Sequence, residues 1–179
     1  MKKLLLAVFM TVSASAGFLV EPYLGYQLGS GDAGATDYTF NTTVIGGRVG
    51  YTMLGFMGGL DYSMGAESDL EGETAGVKTK TKFSQNNLGL FAGYELPILL
   101  RAWATYYLST NLEQQEGTNK GKEYSGDGIG FGVGFTGLPF VSLNLEYRMM
   151  SYDEFDGKSL TNKLEENFVL LGVSLPLDL

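Results

Sequence analysis

Apolar and polar residues alternate along eight separate stretches of this chain. The clearest stretch is Gly126 to Arg148, GDGIGFGVGFTGLPFVSLNLEYR, where glycine occupies every second position from Gly128 to Gly134 and large apolar residues lie between. Successive side chains of a strand leave opposite faces, so this alternation predicts two β-strands, and the Thr136–Pro139 segment between them predicts a turn. The other six predicted strands are about Phe18–Gly29, Thr42–Tyr51, Phe56–Met64, Ser84–Tyr94, Leu99–Leu108 and Asn167–Leu177.

The connections between these predicted strands alternate in length. Those after the second, fourth and sixth strands are short, whereas those after the first, third, fifth and seventh are long and polar, at 30–41, 65–83, 109–125 and 150–166. Short turns at one end of an antiparallel sheet and long polar loops at the other are typical of a barrel that spans a bacterial outer membrane. The pattern therefore predicts an all-β fold, an eight-stranded antiparallel up-and-down transmembrane β-barrel.

The charges on the predicted strands lie on the glycine-rich face and not on the apolar face. We expect these residues to form an interior polar network, and they are Glu21, Arg48, Asp61, Arg101, Glu146 and Arg148. A secreted soluble barrel of lipocalin type, the alternative, would place these six charges in its core. A small membrane barrel instead has an interior filled by polar side chains and an apolar outer face.

Distance from the turns suggests how the six charges are arranged. The three residues predicted nearer the short turns are Glu21, Arg48 and Arg101. The three predicted nearer the long loops are Asp61, Glu146 and Arg148. Each set mixes both signs, and an enclosed charge is costly unless it is paired. We therefore hypothesise two stacked layers of ion pairs that plug the interior.

Aromatic residues on the apolar face lie near the predicted strand ends. Tyrosine and other aromatic rings are favoured at the headgroup level of a bilayer, so two girdles are expected. The loop-side girdle comprises Tyr26, Tyr62, Tyr106 and Tyr147, and the turn-side girdle comprises Tyr51, Phe56, Tyr94 and Phe135.

The composition narrows the possible chemistry. The chain has 179 residues, a net charge of −8, no cysteine and no histidine. The acidic balance argues against a nucleic-acid partner, and the missing cysteine excludes disulfides and thiolate metal sites. Because histidine is the commonest general base and metal ligand, we expect no catalytic residues, no metal and no cofactor.

The N-terminus has the features of a cleavable secretory signal peptide at residues 1–16. Lys2 and Lys3 precede a short apolar run, and Ala14-Ser15-Ala16 matches a small-residue cleavage site. The apolar run is too short for a transmembrane helix. We therefore expect residues 17–179 to form the barrel domain.

The alternation, the connection lengths and the signal peptide together resemble those of small outer-membrane barrels of OmpA/OmpX type. The resemblance covers residues 17–179 and is architectural, so it implies the fold more strongly than an activity. It implies a monomer in the outer membrane of a Gram-negative bacterium, with extracellular long loops and periplasmic termini. The implied partners are outer-membrane lipid, lipopolysaccharide and, during insertion, the barrel assembly machinery. The chain departs from the family at its C-terminal residues, which are Pro176-Leu177-Asp178-Leu179. Such barrels usually end with an aromatic residue.

Two functions remain open at this point. The first is a structural or surface-interaction role for a barrel whose interior is plugged. The alternative is a narrow, porin-like pore or transport barrel for small or apolar solutes. Enzymes that share small barrels, such as lipid A deacylases and omptin proteases, rely on histidine, which this chain lacks.

Overall fold

The chain forms a barrel of long antiparallel strands in a computed structural model that describes residues 16–33, 36–74 and 76–179. Residues 1–15 of the predicted signal peptide lie outside the described part. The strands are β1 Gly17–Ala33, β2 Thr36–Met53, β3 Phe56–Thr74, β4 Val77–Leu96, β5 Leu100–Gln114, β6 Glu123–Phe135, β7 Ser142–Phe155, β8 Lys158–Ser174 and the short β9 Leu177–Asp178.

Strands β1 to β8 pair in chain order, and β1 closes the barrel by pairing with β2 on one side and β8 on the other. The pairing of β1 with β8 runs from Tyr23–Ser174 to Asp32–Glu165. Beyond Pro176, β9 continues along β1 and pairs with Leu19 and Val20. The ninth strand is therefore a continuation of the eighth, and the prediction of an eight-stranded up-and-down barrel is confirmed.

The strands extend well beyond the predicted segments at one end of the barrel, which we call the ribbon end. The predicted long loops at 65–83 and 150–166 are wrong, because β3 and β4 pair as far as Thr74 and Val77, and β7 and β8 as far as Phe155 and Lys158. The loops at 30–41 and 109–125 are likewise mostly strand. The opposite end, which carries the start of β1, the C-terminal residue Leu179 and the connections after β2, β4 and β6, is called the turn end.

Cross-strand ion pairs explain why the polar segment between β3 and β4 forms strands. The registers place Glu73 opposite Lys78 and Glu71 opposite Lys80, and both pairs form salt bridges. Opposite charges on directly facing strand positions stabilise a sheet, and the threonines between the lysines favour extended backbone. Charge pairing thus replaces the apolar alternation on which the prediction relied.

The tightest turns use residues with positive φ. Leu54 and Gly55 join β2 to β3 with φ of 54° and 83°, and Asp156 and Gly157 join β7 to β8 with φ of 52° and 73°. Two consecutive residues of positive φ are the geometry of a two-residue hairpin, and Asp-Gly is a strong sequence signal for it. The first of these turns is where the sequence predicts one, whereas the second lies within a predicted long loop.

The two faces of the barrel wall have opposite character. Outward-facing residues of the central strand segments are exposed and apolar, including Leu24, Leu60, Leu145 and Leu171. The charged residues of the central segments are buried in the interior, and they are Glu21, Arg48, Asp61, Arg101, Glu146 and Arg148. Within residues 16–33, 36–74 and 76–179, no helix is long and apolar enough to cross a membrane.

Interior glycines make room for large side chains from the neighbouring strand. A methyl group at Gly132 would collide with the Trp103 indole, and one at Gly134 would come within 2.7 Å of Arg101 Nε. The glycine period of β6 therefore leaves the interior volume that these two side chains occupy.

Candidate functional site

Arg48 is the centre of a charged network that crosses the barrel interior. Its Nε donates to Asp61 Oδ2 at 2.8 Å, and its Nη2 donates to Glu146 Oε2 at 2.9 Å. Its Nη1 lies 3.7 Å from Glu21 Oε2. Asp61 is on the adjacent strand β3, whereas Glu146 belongs to β7 on the far wall, so one guanidinium ties opposite sides of the barrel together.

The remaining charges attach to the same centre. Arg101 pairs with Glu21 and also donates to Asn144 Oδ1 at 3.0 Å. Arg148 Nε donates to Glu146 Oε1 at 3.0 Å. All six charged residues are at most 2% exposed. We call these six residues, Glu21, Arg48, Asp61, Arg101, Glu146 and Arg148, the lumen network.

The lumen network is one connected unit, so the hypothesis of two separate layers is wrong. Arg48 pairs with Asp61 and with Glu146. Their distances from the turns in the sequence predict that both carboxylates belong to the other layer. The register explains the error, because Glu21, Arg48 and Asp61 are direct cross-strand partners on β1, β2 and β3. Strand tilt and stagger in a closed barrel change the relation between chain position and height.

Aromatic side chains hold the lumen network from the sides. Tyr23 Oη donates to Asp61 Oδ1 at 2.9 Å, and Tyr107 Oη donates to Glu146 Oε1 at 2.7 Å. The Arg48 guanidinium lies 4.4 Å from the centre of the Trp103 ring. The two hydrogen bonds satisfy carboxylate oxygens, as buried charges require, and the negative face of the indole ring attracts the Arg48 cation.

A chain of neutral polar side chains continues from the lumen network toward the ribbon end. Asn87 Nδ2 donates to Ser63 Oγ at 3.2 Å, and Thr110 Oγ1 donates to Asn87 Oδ1 at 2.6 Å. Farther along, Gln85 Nε2 donates to Tyr152 Oη at 3.0 Å. Sequence alternation places these residues inside but gives no indication of their hydrogen-bond order.

A buried apolar cluster fills the interior at the ribbon end, above the lumen network. It comprises Phe40, Leu70, Phe83, Tyr107, Leu112, Met150, Tyr152, Leu164 and Phe168. Hydrophobic patterning does not predict this apolar cluster, because most of its members lie in, or at the border of, the segments predicted as loops. The continuing alternation of small polar and apolar residues in those segments is the signal that could have revealed it.

Glu166 is a buried carboxyl group at the level of the apolar cluster. It is 2% exposed, and neither of its carboxylate oxygens has a hydrogen-bond partner among the described residues. It lies beyond the exposed apolar band, since its outward-facing neighbours Glu165 and Asn167 are polar and exposed. Burial raises the pKa of Glu166 to about 8, so the group is mostly protonated at neutral pH.

The aromatic residues predicted for two girdles lie on the outer face. Seven of the eight are exposed, and Tyr94 is half-buried against Phe56, with ring centres 4.8 Å apart. Near the ribbon end, Tyr106 Oη donates to Asp127 Oδ2 at 3.1 Å, and Tyr147 Oη donates to Asn167 Oδ1 at 3.0 Å. Tyr106 and Tyr147 thus connect the apolar outer face to polar side chains near the ribbon end.

Two serines, Ser63 and Ser84, use their hydroxyl groups in structural hydrogen bonds. Ser63 Oγ accepts hydrogen bonds from Asn87 and Arg148, and Ser84 Oγ accepts one from Gln115 Nε2 at 2.8 Å. The chain contains no histidine that could act as their base. Among the residues that the structure describes, no group of three acidic side chains is arranged to hold a metal ion.

Comparisons with known proteins agree on the fold. The structure is similar to Neisserial surface protein A (NspA), with a TM-score of 0.61, 17% identity and coverage of 90% of this chain and 98% of that chain. It is also similar to OprG from Pseudomonas aeruginosa, with a TM-score of 0.58, 12% identity and coverage of 90% and 96%. For Ail, the attachment invasion locus protein of Yersinia pestis, these values are 0.61, 11%, 90% and 99%. No curated protein sequence matches the chain.

A family model extends this agreement to the sequence. The model described as "Outer membrane protein beta-barrel domain" matches residues 4–175, which is nearly the whole chain. The exposed apolar wall and the charged interior are the distribution that such a barrel needs in a bilayer. The chain therefore belongs to the outer-membrane β-barrel domain family and is a transmembrane barrel of the Gram-negative outer membrane.

Proposed function

We propose that this protein is a closed barrel with a structural or surface-interaction role in the outer membrane, and that it neither conducts solutes nor catalyses a reaction. The observation that carries the proposal is the contact of Arg48 with Glu146 across the lumen. The apolar cluster lies above that contact and adds a second obstruction without charge. Water and ions moving along the axis would have to displace both.

The ribbon end is proposed to face the cell exterior, with the termini in the periplasm. The strand extensions at the ribbon end carry most of the exposed lysine, aspartate and glutamate side chains, and they extend beyond the apolar band. Their length would bring them into contact with the lipopolysaccharide layer and with partners at the cell surface. Insertion would depend on the barrel assembly machinery, and we propose a monomer because a closed barrel leaves no strand edge to pair.

Recordings in planar lipid bilayers test the closed lumen. We expect the purified barrel to give no steady unitary current, because the lumen network and the apolar cluster occupy its cross-section. A larger outer-membrane channel, reconstituted in the same way, serves as the positive control. Steady, reproducible single-channel steps from the unmutated protein would instead support the narrow-pore alternative.

Charge substitutions on the outer wall test the assignment of the lipid-facing surface. Leu171 is an exposed apolar residue between Val169 and Val173 on the apolar stripe of β8, and Leu171→Arg should lower the free energy of unfolding in bilayers by about 2–4 kcal/mol. Glu165→Arg is the matched control, since it lies on the same strand and face but beyond the apolar band, where the cost is about 0–1 kcal/mol. Urea titrations in lipid vesicles give the free energy of unfolding of both variants. The folded fraction is measured on a gel, where unboiled folded protein migrates differently from boiled protein. Equal losses would contradict the assignment.

A further inference from the structure

The ribbon end contains a cavity that neither the lumen network nor the outer wall uses. Its volume is about 320 Å³, and its lining includes Tyr38, Phe83, Tyr124, Thr81, Gln114 and Asn162. We call it the ribbon cavity. This volume is at the lower end of the range of about 300–1,000 Å³ found for small-molecule sites, so it suits a ligand of one or two rings.

The ribbon cavity carries no charged side chain in its lining, although many charges lie close by. Strand alternation explains the separation, because Lys78, Lys80 and Lys82 point outward while Thr79 and Thr81 between them line the cavity. The outward lysines are paired with carboxylates on the neighbouring strands. A charged ligand in the cavity would lose hydration without gaining a counter-ion, so the lining selects against it.

The neutral lining combines two kinds of contact. Aromatic rings from three strands offer flat apolar surfaces, and the hydroxyl of Thr81 with the amides of Gln114 and Asn162 offers both donors and acceptors. A pure hydrocarbon would offer no hydrogen-bonding group to the Thr81 hydroxyl, the Asn162 amide or Gln114 Oε1, whereas Gln114 Nε2 already donates to the Glu116 carbonyl oxygen at 2.6 Å. A sugar ring matches both, because its C–H face packs on an aromatic ring while its hydroxyl groups at the edge bond to amides.

The floor of the ribbon cavity is closed. Leu70, Phe83 and Leu164 line the cavity and are also members of the buried apolar cluster. Beneath that cluster lies the lumen network, with Arg48 bonded across the barrel. A ligand that enters from the ribbon end therefore reaches a dead end, which fits retention and not passage.

We propose that the ribbon cavity binds a neutral sugar ring, either free or as the terminal ring of a glycan. This inference deepens the proposed surface-interaction role by naming the class of ligand. A dead-end site at the exposed end of a closed barrel presents that ligand to the surroundings without moving it across the membrane.

Ligand-observed NMR titration of the barrel in phosphatidylcholine nanodiscs tests the proposal, and alkyl glycoside detergents are excluded because they carry sugar headgroups. The probes are methyl β-glucoside for a free ring and maltotriose for a glycan end. Glucose 6-phosphate is the charged probe and cyclohexanol the apolar probe. We expect saturable binding of at least one of the two neutral sugars, with glucose 6-phosphate at least about tenfold weaker because the lining offers no counter-ion. Comparable binding of the two neutral sugars would indicate that a terminal ring is enough, and binding of maltotriose alone would assign the site to glycans.

Variants connect the binding to the ribbon cavity. Thr81→Val and Asn162→Ala should each weaken sugar binding by about fivefold, the usual consequence of one lost hydrogen bond. Thr39→Val is the control, since Thr39 is exposed on β2 beside Tyr38 and is absent from the cavity lining. Asn162 is exposed, so its variant should fold even if the variant of half-buried Thr81 does not.

Three outcomes would overturn the proposal: no saturable sugar binding, stronger binding of cyclohexanol than of either sugar, or unchanged affinity in both cavity variants. Conductance remains a separate measurement. A barrel that conducts ions and binds sugar would contradict the closed lumen alone. A barrel that conducts no ions and binds no sugar would contradict only the ligand assignment.

Discussion

Replacing Arg48 with methionine is expected to lower the free energy of unfolding by about 3–5 kcal/mol, the usual cost of removing one partner of a buried ion pair. The loss falls mainly on Asp61, which would keep one hydrogen-bond donor among the described residues, the hydroxyl of Tyr23. Glu21 retains Arg101, and Glu146 retains Arg148. Urea titration in lipid vesicles measures the change, and the single tryptophan of the chain, Trp103, reports on the network directly because its ring contacts the Arg48 guanidinium.

The matching double variant separates pairing from simple loss of packing. Asp61→Asn removes the orphaned charge but keeps an oxygen that accepts from Tyr23. Arg48→Met with Asp61→Asn should therefore be clearly more stable than the sum of the two single losses predicts. Additive losses would show that the two side chains contribute independently, and the bridging role of Arg48 would have to be abandoned.

The second large effect concerns Glu166 and pH. The folded barrel raises the pKa of this carboxyl group from 4.5 to about 8, so folding favours its protonated form. The destabilising cost is absent below pH 4.5, grows as the pH rises toward 8 and is fully present above it. The change of pKa corresponds to about 5 kcal/mol of unfolding free energy lost between acidic and alkaline pH. Glu166→Gln should remove this loss and make the barrel more stable at pH 9.

Glu165→Gln is the control for that measurement, because Glu165 is the exposed neighbour on the outward face. Its variant should keep the pH dependence of the unmutated protein. Urea titrations in vesicles at pH 5, 7 and 9 distinguish the two variants. If the Glu166→Gln barrel loses as much stability as the unmutated barrel between pH 5 and pH 9, burial of this carboxyl group does not control the pH response.

Sequence alternation was enough to predict the closed barrel and the interior placement of the charges. Both predictions depend on the period of two in a strand. An error of one residue would have assigned every side chain of a strand to the opposite face of the barrel wall. The prediction failed at the ribbon end, where Glu71 opposite Lys80 and the Asp156-Gly157 turn extend the strands without an apolar stripe. Polar strands stabilised by cross-strand charge look like loops when only hydrophobicity is considered.

The arrangement inside the lumen was harder to anticipate. Arg48 lies between Glu21 and Asp61 because of the register of three strands, and it meets Glu146 because the barrel closes. Register could have been counted from the short turn at Leu54 and Gly55, which places Arg48 opposite Asp61. The contact across the lumen depends on barrel diameter and strand stagger, and one sequence specifies neither directly.

The pairing of β1 with β8 also determines when the barrel can form during biosynthesis. Gly25 meets Gly172, so the contact that closes the sheet joins residues from opposite ends of the chain. Such non-local contacts slow folding, since much of the chain must be ordered before they form. Until β8 arrives, the free edge of β1 and the exposed leucines of the wall remain open to aggregation. A nascent chain released before Gly172 is synthesised would have no partner for this edge, so the fold depends on protection of the whole polypeptide until its last strand is available.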